Sequence, residues 1–268
     1  MNRKKDNILI HIALVSFILI GCNQNASAQA SWEKFGQNRV QYRIFEWSYY
    51  DSIHFRTFFY KDGKANALYA LSVAEQELSN IVYLMGGRME KKINLVVYNS
   101  FTDFRQSNIG RKTDETNLAN GGKVDLIGEN IPIYFNGDHA HLRKQIRRGI
   151  ATVIKENMLF GESFKDALKN SIKMNLPSWY TEGYVNYITE DWTPEMSSEV
   201  ASQIDTQAKR QFSSLANTQA RLYGHSFWHF LASQYGENYV SNLLYLTRYR
   251  MNVYHAIEVV SKMDEKDF

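Results

Sequence analysis

The sequence predicts an α+β fold, because strand-like segments fill the first part of the chain and helix-like segments fill the rest. Gln41 to Tyr60 is rich in Tyr, Phe, Ile and Thr with partial alternation, which indicates one or two strands and a turn. From Ala65 to Leu84, apolar residues recur at steps of three and four, which predicts a helix of about five turns. Strands first and helices afterwards are typical of segregated layers.

Two more strands and a second helix are predicted next. Ile93 to Tyr98 and Ile131 to Phe135 are short β-branched runs, separated by a Gly-rich polar loop around Gly121-Gly122. After Asp138 a helix should run to about Met158. The residues expected on its buried face are Leu142, Ile146, Ile150 and Val153.

The second half of the chain is predicted to be nearly all helix. The helical stretches are Phe164 to Met174, Trp179 to Thr189, Ser197 to Phe212 and Gly224 to Tyr235. We therefore expect an α+β lobe over residues 41–159 and a helical lobe over residues 160–268. A signal peptide over residues 1–22 and a linker over residues 23–40 should precede them.

The first thirty residues predict export. Asn2 to Lys5 give a basic start, and Ile8 to Gly21 form an apolar run that is shorter than the roughly 20 residues of a spanning helix. Leu19 to Cys22 resembles a lipobox, whereas Ala26 to Ala28 resembles an ordinary signal-peptidase site. Cys22, the only cysteine, favours a lipoprotein held to a membrane by lipid. We expect a periplasmic or outer-membrane lipoprotein of a Gram-negative-type envelope.

The composition permits a substantial hydrophobic core and argues against nucleic acid as a partner. The chain is 44% hydrophobic and 14% aromatic, which is typical of a globular protein. Its formal charge is only +3, and no basic block is present. Nucleic acid is therefore not expected as a partner.

One segment resembles a known peptidase family. Leu176 to Tyr187 resembles the Pro-x-Trp-x-x-Glu-Gly-x-x-x-Tyr segment of gluzincin peptidases, specifically the peptidase MA-like family. Ile131 to Gly137 looks like the strand and turn before the active-site helix, and Tyr223 to Trp228 resembles part of the helical lobe. The similarity runs from about Ile53 onward. It implies a zincin-like fold in which Glu182 would be the third zinc ligand.

The zinc-binding motif of that family is degenerate here. His-Glu-x-x-His places two histidine ligands on one helix face with the glutamate as base. By alignment on the buried stripe, Arg148 stands at the first ligand position, Gly149 at the base and Thr152 at the second ligand. None of these side chains suits the chemistry. We therefore expect neither zinc nor catalysis, and two interpretations of Arg148 remain open: an ion pair with Glu182, or exposure to solvent.

A relocated metal site is the alternative. His225 and His229 are four residues apart and would share a helix face, so an active zinc metallohydrolase with displaced ligands stays open. No glutamate lies between the two histidines.

The functional expectation is a pseudopeptidase that acts by binding or scaffolding, with a protein or peptide ligand in its cleft. Aromatic residues near the former substrate side are either binding anchors or core. They are Trp179, Tyr180, Tyr184 and Tyr187.

The end of the chain suggests a longer protein. Members of the resembling family often continue into another helix or β-propeller repeats, so this chain is expected either to be the front part of a longer protein or to be a complete unit. Ile257, Val260 and Met263 lie near one helical face, and their burial bears on these alternatives.

Overall fold

A small sheet comes first in the fold and helices follow it, as the sequence predicts. The computed structural model describes residues 44–89, 91–106, 130–161, 174, 176–206 and 219–262. The predictions for the signal peptide, Cys22 and the Gly121-Gly122 loop lie outside these residues. So do the predictions for the helix over residues 164–173, the end of the helix over residues 207–212 and Met263.

The sheet has four described strands in sequential order. They are β1 (Ser48–Asp51), β2 (Phe55–Phe59), β3 (Ile93–Tyr98) and β4 (Asn130–Tyr134). The hairpin of β1 and β2 is antiparallel, whereas β3 runs parallel to both β2 and β4. The bounds of β3 and β4 agree with the sequence to within one residue, and β1 and β2 lie inside the predicted segment Gln41 to Tyr60. β-Branched and aromatic residues cluster in these strands.

Among the described strands, β4 is the last of the sheet, and its outer edge is poorly suited to further pairing. The Phe135 N–H donates to the Tyr98 carbonyl at 2.9 Å, so the backbone polar groups of Pro132 and Tyr134 point away from β3. Proline has no N–H to offer. The Gln145 side chain accepts from the Tyr134 N–H at 3.1 Å and donates to its carbonyl at 2.7 Å. An added strand would therefore find few free partners here.

Eight helices are described. They are α1 (Lys64–Met85), α2 (Phe101–Gln106), α3 (His139–Phe160), α4 (Ser178–Thr189), α5 (Pro194–Thr206), α6 (Ala220–Tyr235), α7 (Glu237–Arg250) and α8 (Val253–Ser261). The sequence did not predict α2, although its start carries a signal: the Asp103 N–H donates to Ser100 Oγ at 3.0 Å. Asp138 caps α3 in the same way, through the Ala140 N–H at 2.8 Å.

The hydrophobic core is continuous across the lobe boundary predicted at residue 159. The predicted stripe of α3 is confirmed, since Leu142, Ile146 and Ile150 are fully buried and join residues of the sheet, α1, α4, α6 and α7 in one cluster. In α8, Ile257 is buried and Val260 is partly buried against the same core. Helix α3 therefore lies between the sheet and the later helices. None of the described helices is both long and apolar enough to cross a membrane.

Candidate functional site

Helices α4 and α6 cross with their backbones in contact, and this crossing positions the site. A Cβ atom on Gly183 would lie 2.3 Å from the Gly224 Cα atom, and one on Gly224 would lie 1.9 Å from the Trp179 carbonyl oxygen. Only glycine at both positions permits this approach. Glu182 and His225 each adjoin one of these glycines, so the crossing brings their stretches of helix together.

Arg148 is a buried charge at the predicted first ligand position. Its side chain is 2% exposed, so the solvent-exposed interpretation is wrong. The ion pair does form, but its partner differs from the predicted Glu182: Arg148 Nη1 donates to Glu190 Oε1 at 2.8 Å. Glu190 follows directly after α4 and caps it, so the turn at the helix end returns its carboxylate toward α3.

Four charges surround this position, and we call Arg148, Glu182, Glu190 and Arg221 the four-charge cluster. Burial, together with the charge of Arg221, lowers the pKa of Arg148 to about 10, although Glu190 and Glu182 oppose this shift. The guanidinium is therefore protonated at neutral pH. Glu182 Oε2 lies 4.0 Å from Arg221 Nε, with both side chains 21% exposed. The two positive and two negative charges of the cluster therefore add up to zero, and they come from α3, from α4 with the residue that ends it, and from α6.

Gly149, at the predicted position of the base, has no room for a side chain. A Cβ atom there would lie 2.3 Å from Ile131 Cγ2, because the backbone of α3 packs directly on β4. Thr152 lies one turn after Arg148, and its hydroxyl donates to the Arg148 carbonyl at 2.7 Å. The position aligned with the base therefore faces the sheet.

The residues at this place do not fit a zinc ion. A buried guanidinium has no lone pair to donate and repels a divalent cation. Across the described ranges, no group of three or more His, Cys, Asp and Glu side chains is arranged to hold a metal ion.

His225 and His229 lie one and two turns after Arg221 on α6, and the ring of Trp192 lies against both histidine rings. The Trp192 ring is 5.0 Å from the His225 ring, edge to face, and stacks on His229 at 5.2 Å. The Trp192 indole donates to Ser197 Oγ at 2.7 Å, which holds it there. His225 is 1% exposed, and its Nδ1 has no hydrogen-bond partner among the described residues.

No family model matches this chain, and no curated protein matches it. The resemblance to gluzincins therefore stays a prediction from the sequence.

The four aromatic residues near the site differ in burial, since three belong to the core and one is partly exposed. Trp179, Tyr180 and Tyr184 are at most 1% exposed, as the core interpretation expects. The Tyr180 hydroxyl bonds Thr247 Oγ1 at 2.7 Å, and burial raises the pKa of Tyr180. Tyr187 is only half-buried, and its ring lies 6.2 Å from that of His225. Of the four, Tyr187 alone keeps a partly exposed side chain.

The sequence analysis missed three residues of the site: Glu190, Arg221 and Trp192. One signal was present, since Arg221, His225 and His229 recur every four residues on α6 and must share a face. Glu190 and Trp192 lie at the end of α4 and in the loop after it, where periodicity does not apply.

Acid should destabilise the protein through His225. Burial, together with the positive charges of His229 and Arg148, lowers the pKa of His225 from 6.5 to about 4, although Asp191 opposes this shift. Between these two values the unfolded chain binds a proton that the folded chain does not, so stability falls as the pH decreases through that window. Thermal melts of wild type and His225→Gln between about pH 7 and pH 4.5 measure the effect.

On acidification, the melting temperature of His225→Gln should fall less than that of wild type. His255→Gln, at a half-exposed histidine on α8, is the matched control and should behave like wild type. Equal acid sensitivity of wild type and His225→Gln would contradict the prediction.

Proposed function

We propose that the chain is an exported, zincin-like pseudopeptidase that acts by binding or scaffolding in the cell envelope. It is a lipoprotein anchored through Cys22, periplasmic or on the outer membrane, and it takes a protein or peptide ligand in the cleft between its lobes. The observation that carries the proposal is the buried Arg148–Glu190 ion pair where the resembling family has its first zinc ligand.

The physical case against catalysis has two parts. A permanent positive charge, buried and hydrogen-bonded, stands at the ligand position, and a cation at that place would have to displace it. The helix also packs too closely on Ile131 to carry a base at residue 149. Glu182 alone would leave a catalytic zinc two protein ligands short.

Zinc analysis and a peptidase assay test this proposal. We expect purified protein to hold far less than one equivalent of zinc, and its activity on peptides to equal a blank and to be unaffected by chelators. About one equivalent of tightly held zinc would overturn the proposal. The alternative active metallohydrolase has one observation in its favour: the Nδ1 atom of His225 has no hydrogen-bond partner in the described part of the chain. In that case zinc should disappear in the His225→Ala/His229→Ala variant.

A designed variant tests the alignment of α3. The full motif needs Gly149→Glu, which clashes with Ile131, so we expect the triple variant with Arg148→His and Thr152→His to fold poorly. The double variant Arg148→His/Thr152→His avoids the clash and should gain zinc through Glu182, measured by metal content after dialysis. A folded double variant that binds no zinc would show that these positions are not the former ligand site.

Anchoring is tested on the mature protein. Lipidation of Cys22 should place the protein in the membrane fraction, and Cys22→Ser should release it. Mass spectrometry of the mature N-terminus decides the matter, since a soluble form beginning at Gln29 or Ser31 would show that the ordinary peptidase site is used.

A further inference from the structure

The outer edge of strand β1 carries backbone hydrogen-bonding groups, and no described strand lies beside it. Strand β1 is the first in the sheet order and pairs with β2. The Ser52 N–H donates to the Phe55 carbonyl at 2.8 Å, so the backbone groups of Ser52 point toward β2. Because these groups alternate along an antiparallel pair, the N–H and C=O groups of Tyr49 and Asp51 point away from β2. Ser48, Tyr49 and Asp51 are exposed, so this edge is open to solvent.

Strand β1 lacks the features that usually protect an open edge from pairing with another chain. The edge of β4 has such protection, through Pro132 and the Gln145 side chain. In contrast, β1 contains neither proline nor lysine, and two of its four residues are tyrosines, which favour strands. Its one charge is already paired, since Arg56 Nε and Lys92 Nζ lie 3.2 and 2.9 Å from the Asp51 carboxylate. That charge therefore does not keep a second strand away.

This edge is complementary to itself about a two-fold axis. When two antiparallel copies of β1 are centred on Tyr50, Tyr49 of each copy lies opposite Asp51 of the other. These are the residues whose backbone groups point outward, so both pairs can exchange two hydrogen bonds. The edge thus offers a second copy a complete set of donors and acceptors.

Charge complementarity favours the register centred on Tyr50. The guanidinium carbon of Arg56 lies 4.9 Å from the centre of the Tyr49 ring, so this positive charge is held beside Tyr49. In the pair of strands, Asp51 of each copy lies opposite Tyr49 of the other, and therefore next to the arginine of that copy. A register centred on Asp51 would instead place two like charges opposite each other, which is destabilising.

We propose that the outer edge of β1 is an interface for a second copy of this chain, which pairs antiparallel about a two-fold axis at Tyr50 and joins the two sheets into one. The same pairing brings Ile53, at the hairpin turn of one copy, to the end of β1 where Trp47 of the other copy lies, and both side chains are exposed in the single chain. An interface of one strand from each copy is small, so the dimer is weak and reversible in dilute solution. The inference goes beyond the proposed function, since neither ligand binding nor the lipid anchor enters the argument.

A cysteine at the two-fold axis tests the register. The two Tyr50 residues would form a non-hydrogen-bonded pair, in which the Cα atoms are about 4.5 Å apart, and a disulfide can span this distance. In protein that also carries Cys22→Ser, Tyr50→Cys should form disulfide-linked dimers about tenfold or more faster than Tyr83→Cys at equal concentration, because pairing holds the two thiols together. Tyr83, on α1, is 82% exposed and makes a stringent control. Equal rates, or a faster rate at Tyr83, would overturn the inference.

Charge reversal tests the partner. In sedimentation equilibrium, Asp51→Arg and Arg56→Asp should each stay monomeric at concentrations where wild type associates, because like charges then face each other across the interface. An equimolar mixture of the two variants should associate again, since both facing pairs are then of opposite charge. Arg250→Asp, at an exposed arginine on α7, is the control and should associate like wild type.

Two results of this experiment would contradict the proposal. Wild type that stays monomeric up to about 1 mM would show that the edge does not pair with a second copy, even weakly. A mixture of Asp51→Arg and Arg56→Asp that stays monomeric would show that the two charges do not meet across the interface. If either charge variant does not fold, the comparison of Tyr50→Cys with Tyr83→Cys decides, and if Tyr50→Cys does not fold, the sedimentation of wild type and the mixture decides.

Discussion

Replacing Gly224 by alanine should destabilise the protein by about 3 kcal/mol, although alanine is the better helix former. The added Cβ atom would lie 1.9 Å from the Trp179 carbonyl oxygen and 2.7 Å from the Gly183 Cα atom. Both neighbours are backbone atoms, which cannot rotate away, so helices α4 and α6 would have to separate. Urea unfolding of wild type and variant, followed by circular dichroism, measures the loss.

Helix propensity predicts that Gly224→Ala stabilises the protein, whereas packing predicts that it destabilises it. The sign of the change in the free energy of unfolding therefore shows which effect is larger. Propensity alone would stabilise the variant by about 1 kcal/mol. Gly183→Ala should cost a similar amount as Gly224→Ala, and the two losses should not add, since both act on one contact. Ser233→Ala, on the exposed face of α6, is the control and should change stability by less than about 0.5 kcal/mol. A more stable Gly224→Ala variant would show that the helices do not touch there.

The order of elements was predictable because local patterns decide it. The period of Leu142, Ile146 and Ile150 fixes a helix face, and each strand carries a β-branched or aromatic run. Strand pairing was not predictable in the same way. The parallel register of β3 with β2 and β4 depends on packing against α1 and α3, which no single segment encodes.

Some residues of the site were predictable from the sequence, but their contacts were not. Helical period left the burial of Arg148 open, between an ion pair and exposure to solvent, and the structure shows that it is buried. Its partner did not follow, since Glu190 lies 42 residues away at the end of α4. The close packing at Gly149 was not predictable either, because only the structure shows that the Ile131 side chain fills the space where a Cβ atom would lie.

A second arginine group on α3 provides a comparison for the site. Arg143 hydrogen-bonds Glu77 of α1, and Arg147 Nε lies 3.7 Å from the same carboxylate. Glu77 is 3% exposed, but Arg143 is 48% exposed and shares its partner with Arg147. Loss of Arg143 therefore leaves Glu77 with one neighbouring cation, Arg147. Loss of Arg148, by contrast, leaves Glu190 without the arginine that donates a hydrogen bond to it.

Arg148→Met should accordingly destabilise the fold by about 3 kcal/mol, near the lower end for removal of one partner from a buried pair. The remaining Glu190 carboxylate keeps 14% of its side chain exposed, and this access to water limits the penalty. Adding Glu190→Leu should recover most of the loss, because two apolar side chains of similar volume replace a buried ion pair at little net cost. The double-mutant cycle, measured by urea unfolding at neutral pH, gives the coupling energy of the pair. Arg56→Met, at an exposed arginine that pairs with the exposed Asp51, is the control and should cost less than about 1 kcal/mol. Additive losses in the double variant would mean that Arg148 and Glu190 do not pair, and the four-charge cluster would then lose its central contact.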